Sequence, residues 1–310
     1  MSIEFSKSNY YVYIVKGDLI GALHYIKQFA EQTTLYDKYI TIFKHKQYIS
    51  YPIDDELNSI LKIYQQYYRD VFFLNIDKKE STDKLKDRLT NFLRIKEENI
   101  ELSDVENQIA KVFKYKGYYF MGGKTSGYYG PYVWKSIETK SYKVELPAGN
   151  QEYRIDLLDG FITKSWIDYL SFGEISPGGW TNGDGIINCI KSSYDIDSES
   201  LKVSLLKHEA QHVRDLSNFK EISSEDLEYR AKLVELIYSK ERNLLELFSN
   251  EAAPSDKSNG HSLASGKIIE GFIQKLNLSH AELTNLSMIQ IQTTAKALFE
   301  ESEVLLCSRL

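Results

Sequence analysis

Cysteine is nearly absent from this 310-residue sequence: Cys189 and Cys307 are the only two, and neither belongs to a Cys-x-x-Cys pair. Two thiols cannot build a disulfide framework, and without paired thiolates a metal site must draw on histidines and carboxylates. Long apolar runs are missing too. No stretch of 18 apolar residues occurs, and the opening MSIEFSKSNYYVYIVKGDLIGAL lacks the continuous apolar segment of a signal peptide, so a cytoplasmic protein with no membrane partner is expected. Positive charge is scarce: 38 Lys and Arg stand against 44 Asp and Glu, a formal net charge of -6. That balance gives no electrostatic reason to expect nucleic acid or an anionic membrane as partner. There is no internal repeat and no low-complexity segment. What remains is an ordinary globular composition, 42% hydrophobic and 26% charged, long enough for one large domain or two smaller ones.

The periodicity of apolar residues predicts three stretches. Residues 1–115 read as mainly helical after a first short strand, YYVYIVKG. Residues 18–31 carry Leu19, Ala22, Leu23 and Ile26 at helical spacing, and residues 56–73 and 82–93 do likewise. In SDVENQIAKVF, Ser103 and Glu106 have capping-box spacing and mark a further helix start. Residues 116–195 are rich in Tyr, Gly, Val and Ile, with alternation in YVWKSIETKSYKVEL and EYRIDLL, which predicts strands joined by glycine turns. From 196 to 310 helical patterns return. The expected class is α+β: a helical N-terminal region, 1–115, then a domain at 116–310 with a mixed or antiparallel sheet followed by helices.

The chemistry concentrates in SLLKHEAQHVRDLSN, where residues 208–212 read His-Glu-x-x-His. At 3.6 residues per turn, His208 and His212 share one helix face and can offer nitrogens to one ion. Glu209, one step around, can reach a water without ligating the metal. Asp197 or Ser198 can cap this helix, and Leu201 and Leu205 share the stripe of the two histidines, turning them toward the buried side. A solvated helix whose motif is accidental is the plain alternative.

Catalytic zinc takes three protein ligands, so a third must come from elsewhere. The metzincin continuation is excluded because its Gly and last His positions hold Asp215 and Asn218. A helix starting at Ser223 or Ser224 offers Glu225, Glu228 and Glu235. Glu228 is chosen: it flanks the stripe Leu227, Ala231, Val234 and Tyr238 near the small Ala231, where two helices can approach, while Glu225 lies in the first turn. An i,i+4 pair of Glu228 with Lys232 is the plain alternative. Asp215, three residues past His212, is placed either as an acceptor that orients an imidazole or as a solvent-facing carboxylate.

His208-Glu209-x-x-His212 followed by Glu228-x-x-Ala231 resembles the gluzincins, the His-Glu-x-x-His peptidases whose third ligand is a Glu on the following helix. DKSNGHSLASG sharpens the resemblance. Asp256, four residues and His261 look like the Asp-x-x-x-x-His segment of the thermolysin-like members, although Leu227 stands where these have Asn. The resemblance implies a zincin-like fold and a Zn2+ cofactor held by His208, His212 and Glu228. It further implies Glu209 as general base, His261 as oxyanion stabiliser, Asp256 as its orienting carboxylate, and a peptide or protein substrate. GGWTN is similar to the Gly-x-Met-x-Asn segment of gluzincin aminopeptidases. Thr181 replaces the amine-binding Glu there, so aminopeptidase activity is not carried over and a turn into the strand DGIINCI is expected. That strand, if it lies at a sheet edge, could pair with an extended peptide. Gly123-Lys124-Thr125 is no P-loop, since Gly117 stands one residue too far upstream and Gly127, Gly130 and Pro131 oppose a following helix. Two other functions compete with the peptidase: a zincin-fold protein that binds without turnover, and a helical binding module with an accidental motif.

Overall fold

The computed structural model describes residues 4–97, 99–181, 185–195, 198–252 and 260–308. It is an α+β protein, 60% helical and 14% strand. It divides into two compact units, Met1–Ser136 with Asp159–Pro177, and Ile137–Leu158 with Gly178–Leu310. The division does not fall at 115/116, because short strands after that point complete the first unit's core. No helix among the described residues is long and apolar enough to cross a membrane.

The first unit begins with helices α1 (Lys7–Val15), α2 (Leu19–Ile26) and α3 (Thr33–Tyr39). Residues YYVYIVKG were expected as a strand. They form α1 instead, because Tyr10 and Ile14, four apart, are buried on one face and Ser6 accepts a hydrogen bond from the Asn9 amide as N-cap. Helices α4 (Asp55–Tyr68), α5 (Lys78–Leu93) and α6 (Leu102–Tyr115) follow. The capping box expected at Ser103 does not form: Glu101 is the N-cap, and Glu106 is buried, accepting a 2.8 Å hydrogen bond from the Tyr64 hydroxyl. Strands β1 (Tyr119–Met121), β2 (Lys124–Thr125), β3 (Tyr128–Tyr129) and β4 (Tyr132–Trp134) come next, and β2 and β3 pair as a hairpin that contains the Gly-Lys-Thr.

The second unit opens with β5 (Ser136–Leu146) and β6 (Gly149–Asp159). Strand β7 (Thr163–Lys164) then returns to the first unit as the outer member of a β1-β4-β7 sheet and leads into α7 (Ser165–Leu170). That placement buries Val133, Trp166, Tyr169 and Leu170 in the first unit's core. Strands β8 (Gly179–Thr181) and β9 (Ile186–Ile190) complete the second unit's sheet in the order β5-β6-β9-β8. Strand β9 runs parallel to β6 and antiparallel to β8, with Ile155 opposite Ile187 and Trp180 opposite Asn188. The glycine segment expected as a turn is therefore the edge strand β8, and the strand IINCI lies in the interior. Five helices follow: α8 (His208–Asn218), α9 (Ser224–Tyr238), α10 (Leu244–Glu251), α11 (Gly260–Leu276) and α12 (Met288–Cys307). Ile155, Leu157 and Ile187 from the sheet share one apolar core with Leu205, Ala210, Leu233, Phe272 and Phe299 from the helices.

Candidate metal centre

Helix α8 continues without a break from π-helical turns at Ser200–Lys207, which Ser198 caps by accepting from the Leu201 amide; Asp197, the other expected cap, lies outside the described residues. Such wide turns also occur at Ile40–Lys44 and Arg69–Phe73 in the first unit, so they do not by themselves mark a site. Leu201 and Leu205 are buried, and Gly179 of β8 passes so close that a Cβ there would lie 2.8 Å from the Leu205 side chain. The stripe that buries these leucines also carries the two histidines inward, leaving His208 8% and His212 7% exposed.

Helix α9 faces them. Ser223 is its N-cap, as the spacing predicts, accepting from the Asp226 amide. Ala231 is fully buried, and Glu228 lies one turn before Lys232 on the facing side. The alternative i,i+4 pair is not made, since Lys232 pairs with Glu251 at 2.6 Å. Glu228 instead turns to the imidazoles, with Oε2 3.4 Å from His208 Nε2 and Oε1 3.5 Å from His212 Nε2. The two Nε2 atoms are 2.9 Å apart. Among the described residues this is the one His, Cys, Asp or Glu group whose ligand atoms all lie within 4.8 Å.

The donor set can be tested against a zinc ion. A tetrahedral ion about 2.0–2.1 Å from each ligand sets the ligand atoms about 3.3 Å apart, close to what is found. Glu228 Oε2 is turned into the ring cluster, with His261 Nδ1 at 2.9 Å and His208 Nε2 at 3.4 Å, so it faces the place a cation would take as an acceptor. His208 Nδ1 lies 2.7 Å from Glu235 Oε1, which leaves Nε2 as the nitrogen facing the cluster. A carboxylate behind the imidazole fixes ring orientation and raises ligand basicity. Sequence reasoning had Glu235 only as a rival third ligand and Asp215 as a possible orienting group. Asp215 is fully buried but serves Arg230, whose guanidinium reaches it at 2.7 and 3.1 Å. Glu235 was reachable from its spacing, seven residues or about two turns beyond Glu228 on the same helix face.

The charges around the group are coupled. Burial of the His208 ring favours its neutral form, but the Glu228 and Glu235 carboxylates beside it outweigh burial and push its pKa up to about 10. Burial also opposes ionisation of Glu228, yet the rings of His208, His212 and His261 hold its carboxyl well below the usual range. The two carboxylates thus favour a positive charge among the imidazoles, and a metal ion bound there would take the place of a proton.

Glu209 is 9% exposed and lines the adjoining cleft with His208, Glu235, Lys232 and His261. Its carboxylate makes no hydrogen bond or ion pair with the described residues. His261 lies in the first turn of α11, with Nδ1 2.9 Å from Glu228 Oε2 and its ring roughly parallel to that of His208. Asp256, expected to orient it, lies outside the described residues. The structure thus gathers His208, Glu209, His212, Glu228 and His261 at one place and adds Glu235. No protein-family model, curated protein or solved structure matches the chain.

Proposed function

We propose that the chain is a zinc-dependent metallopeptidase of gluzincin type, with the zincin-like catalytic part in the unit that carries α8 and α9. The observation that carries this reading is the convergence of His208, His212 and Glu228 beside a cleft carboxylate, Glu209, that no other side chain occupies. His208, His212 and Glu228 would hold the zinc, which when bound supplies a Lewis acid for a carbonyl oxygen and for water. Glu209 takes a proton from the water that attacks the scissile carbonyl and passes it to the departing amine nitrogen. Among the described residues no side chain pairs with the Glu209 carboxylate, so its oxygens stay open to a water in the cleft. His261, with Nδ1 facing Glu228, keeps Nε2 for the developing oxyanion. Strand β8 has no strand beyond it among the described residues, and an extended peptide pairing there would lie close to α8. The substrate is a peptide or protein, and the expected location is cytoplasmic.

The test is elemental analysis together with hydrolysis of a mixed peptide library. One zinc per chain is expected, with turnover lost and zinc kept in Glu209→Gln. A protein without zinc points to the accidental motif. A zinc-bound protein whose cleavage is the same in wild type and Glu209→Gln points to the binding protein. His261→Ala should keep zinc and lose about a hundredfold in kcat, the usual cost of one oxyanion donor. Unchanged kcat would remove His261 from the mechanism.

A further inference from the structure

The mechanism leaves one charged pair in the cleft unused. Lys232 is 4% exposed, and its Nζ lies 2.6 Å from Glu251 Oε2 and 4.1 Å from the Phe248 ring centre. The same carboxylate oxygen accepts a 2.7 Å hydrogen bond from Ser265 Oγ, itself fully buried. The other oxygen, Oε1, has no hydrogen bond or ion pair among the described residues, and the Glu251 side chain is 39% exposed in the cleft. One oxygen is thus anchored by two buried groups while its twin is presented to whatever enters.

We propose that Glu251 is the specificity-determining carboxylate of this cleft, receiving a positively charged nitrogen group carried by a peptide residue next to the scissile bond. This rests on the peptidase reading above. Three observations support it. The first is position: Lys232 stands one turn from Glu228 on α9 and Ser265 one turn from His261 on α11, so the carboxylate they hold is about 5–6 Å along from the metal-binding groups. An extended peptide spans that distance in about two residues at roughly 3.3–3.6 Å each.

The second is charge. Glu209, Glu235 and Glu251 line the cleft against Lys232, two negative charges in excess. A zinc dication with its Glu228 ligand adds one positive charge, and one negative charge remains. The third is shape. Leu244, Leu247 and Phe248 on α10 form an apolar wall one to two turns before Glu251, and Leu247 is 53% exposed. An apolar approach that ends at a fixed carboxylate suits a Lys or Arg side chain, whose methylene stem packs while its head is paired. An α-ammonium group has the same charge chemistry without the stem, and the experiment separates the two.

Wild-type protein loaded with zinc is given four pools of amidated random heptapeptides, with the amino terminus free or acetylated and with Lys and Arg present or omitted, and products are read by mass spectrometry. The cation-bearing pools should be cleaved about tenfold or more faster than the acetylated pool lacking Lys and Arg, the scale of one desolvated charge pair. Preference for the acetylated Lys/Arg pool assigns the side chain, and preference for the free-amine pools alone assigns the α-ammonium. Glu251→Gln should erase the preference while zinc content and the rate on the neutral pool stay within about twofold. Equal cleavage of all four pools overturns the inference and leaves the peptidase reading standing, as does a Glu251→Gln loss that is uniform across pools. If no pool is cleaved, the peptidase reading fails by itself. Calorimetric binding of the same pools to Glu209→Gln then decides the recognition: tighter binding of the cationic pools supports Glu251 as the receptor, and equal binding overturns it.

Discussion

The two units bury polar groups in opposite ways. In the first unit the buried polar groups are mostly neutral, with tyrosine hydroxyls prominent among them. Tyr64 donates to Glu106, Tyr169 donates to Gln65 at 2.9 Å, and Tyr39 donates to the Leu170 carbonyl. Burial pushes these phenols above their ordinary range, so they stay neutral. Two buried carboxyl groups stand beside them: Asp70, with Arg88 2.7 Å away, and Glu106, which accepts from Tyr64. In the second unit the same depth is occupied by His208, Glu209, His212, Asp215, Arg230, Lys232 and Glu235. Neutral hydroxyls cost little to bury once hydrogen-bonded, whereas buried charges cost several kcal/mol each unless paired. The cost of burying charge is thus concentrated in the unit that carries the candidate site.

The comparison breaks first at the metal. Glu228→Ala should lower zinc affinity well beyond the roughly 10–100-fold that loss of an outer carboxylate costs, and Glu235→Ala should fall in that 10–100-fold range by freeing His208 Nδ1. Glu225→Ala, in the first turn of α9 and near Lys267, should change nothing. Chelator competition ranks the three, and Glu225 as the damaging site would refute the geometry.

Arg230 tests whether the second unit's charges are coupled. It is fully buried and binds Asp215, Ser302 and Glu303 while stacking 4.3 Å from the Phe299 ring centre. Arg230→Met leaves Asp215 buried without its main partner and should cost about 3–5 kcal/mol in denaturant unfolding. Tyr64→Phe in the first unit removes a single donor from Glu106 and should cost about 1–3 kcal/mol. Equal costs would mean that the difference between the units is one of composition and not of energetics.

The smallest effect concerns the thiols. Burial pushes Cys189 up to about 11, so below that pH it stays a neutral, enclosed thiol, while Cys307 is exposed. At pH 8 a thiol reagent should modify one cysteine per native chain and the second only on unfolding. Fast modification of both would show that β9 is not enclosed.

Local spacing made much of the candidate site legible. His208, Glu209 and His212 are related by one helical turn, a geometry that needs no tertiary information, and the packing stripe of α9 with the small Ala231 was enough to single out Glu228. Where the local signal was ambiguous, packing chose. YYVYIV is rich in β-branched and aromatic residues and reads as a strand, but its i,i+4 apolar face had a helical core to join. Ser103 and Glu106 had the spacing of a cap, yet burial beside Tyr64 gave Glu106 a different partner.

What the sequence alone determined is therefore what helical spacing determines: two imidazoles on one face, a carboxylate beside them, and a candidate partner, Glu228, on the next helix. The tertiary structure decided which carboxylates stand behind the ligands. Asp215 and Glu235 are both acidic residues at plausible spacing, and only the packing of α8 against α9 turned Glu235 to His208 and gave Asp215 to Arg230. It also made Gly179 part of an edge strand and brought Glu251, from a later helix, over Lys232. The reason is physical: helical periodicity acts over a few residues and fixes directions around one axis, whereas the partner of a buried charge is set by whichever opposite charge the fold brings within about 3 Å.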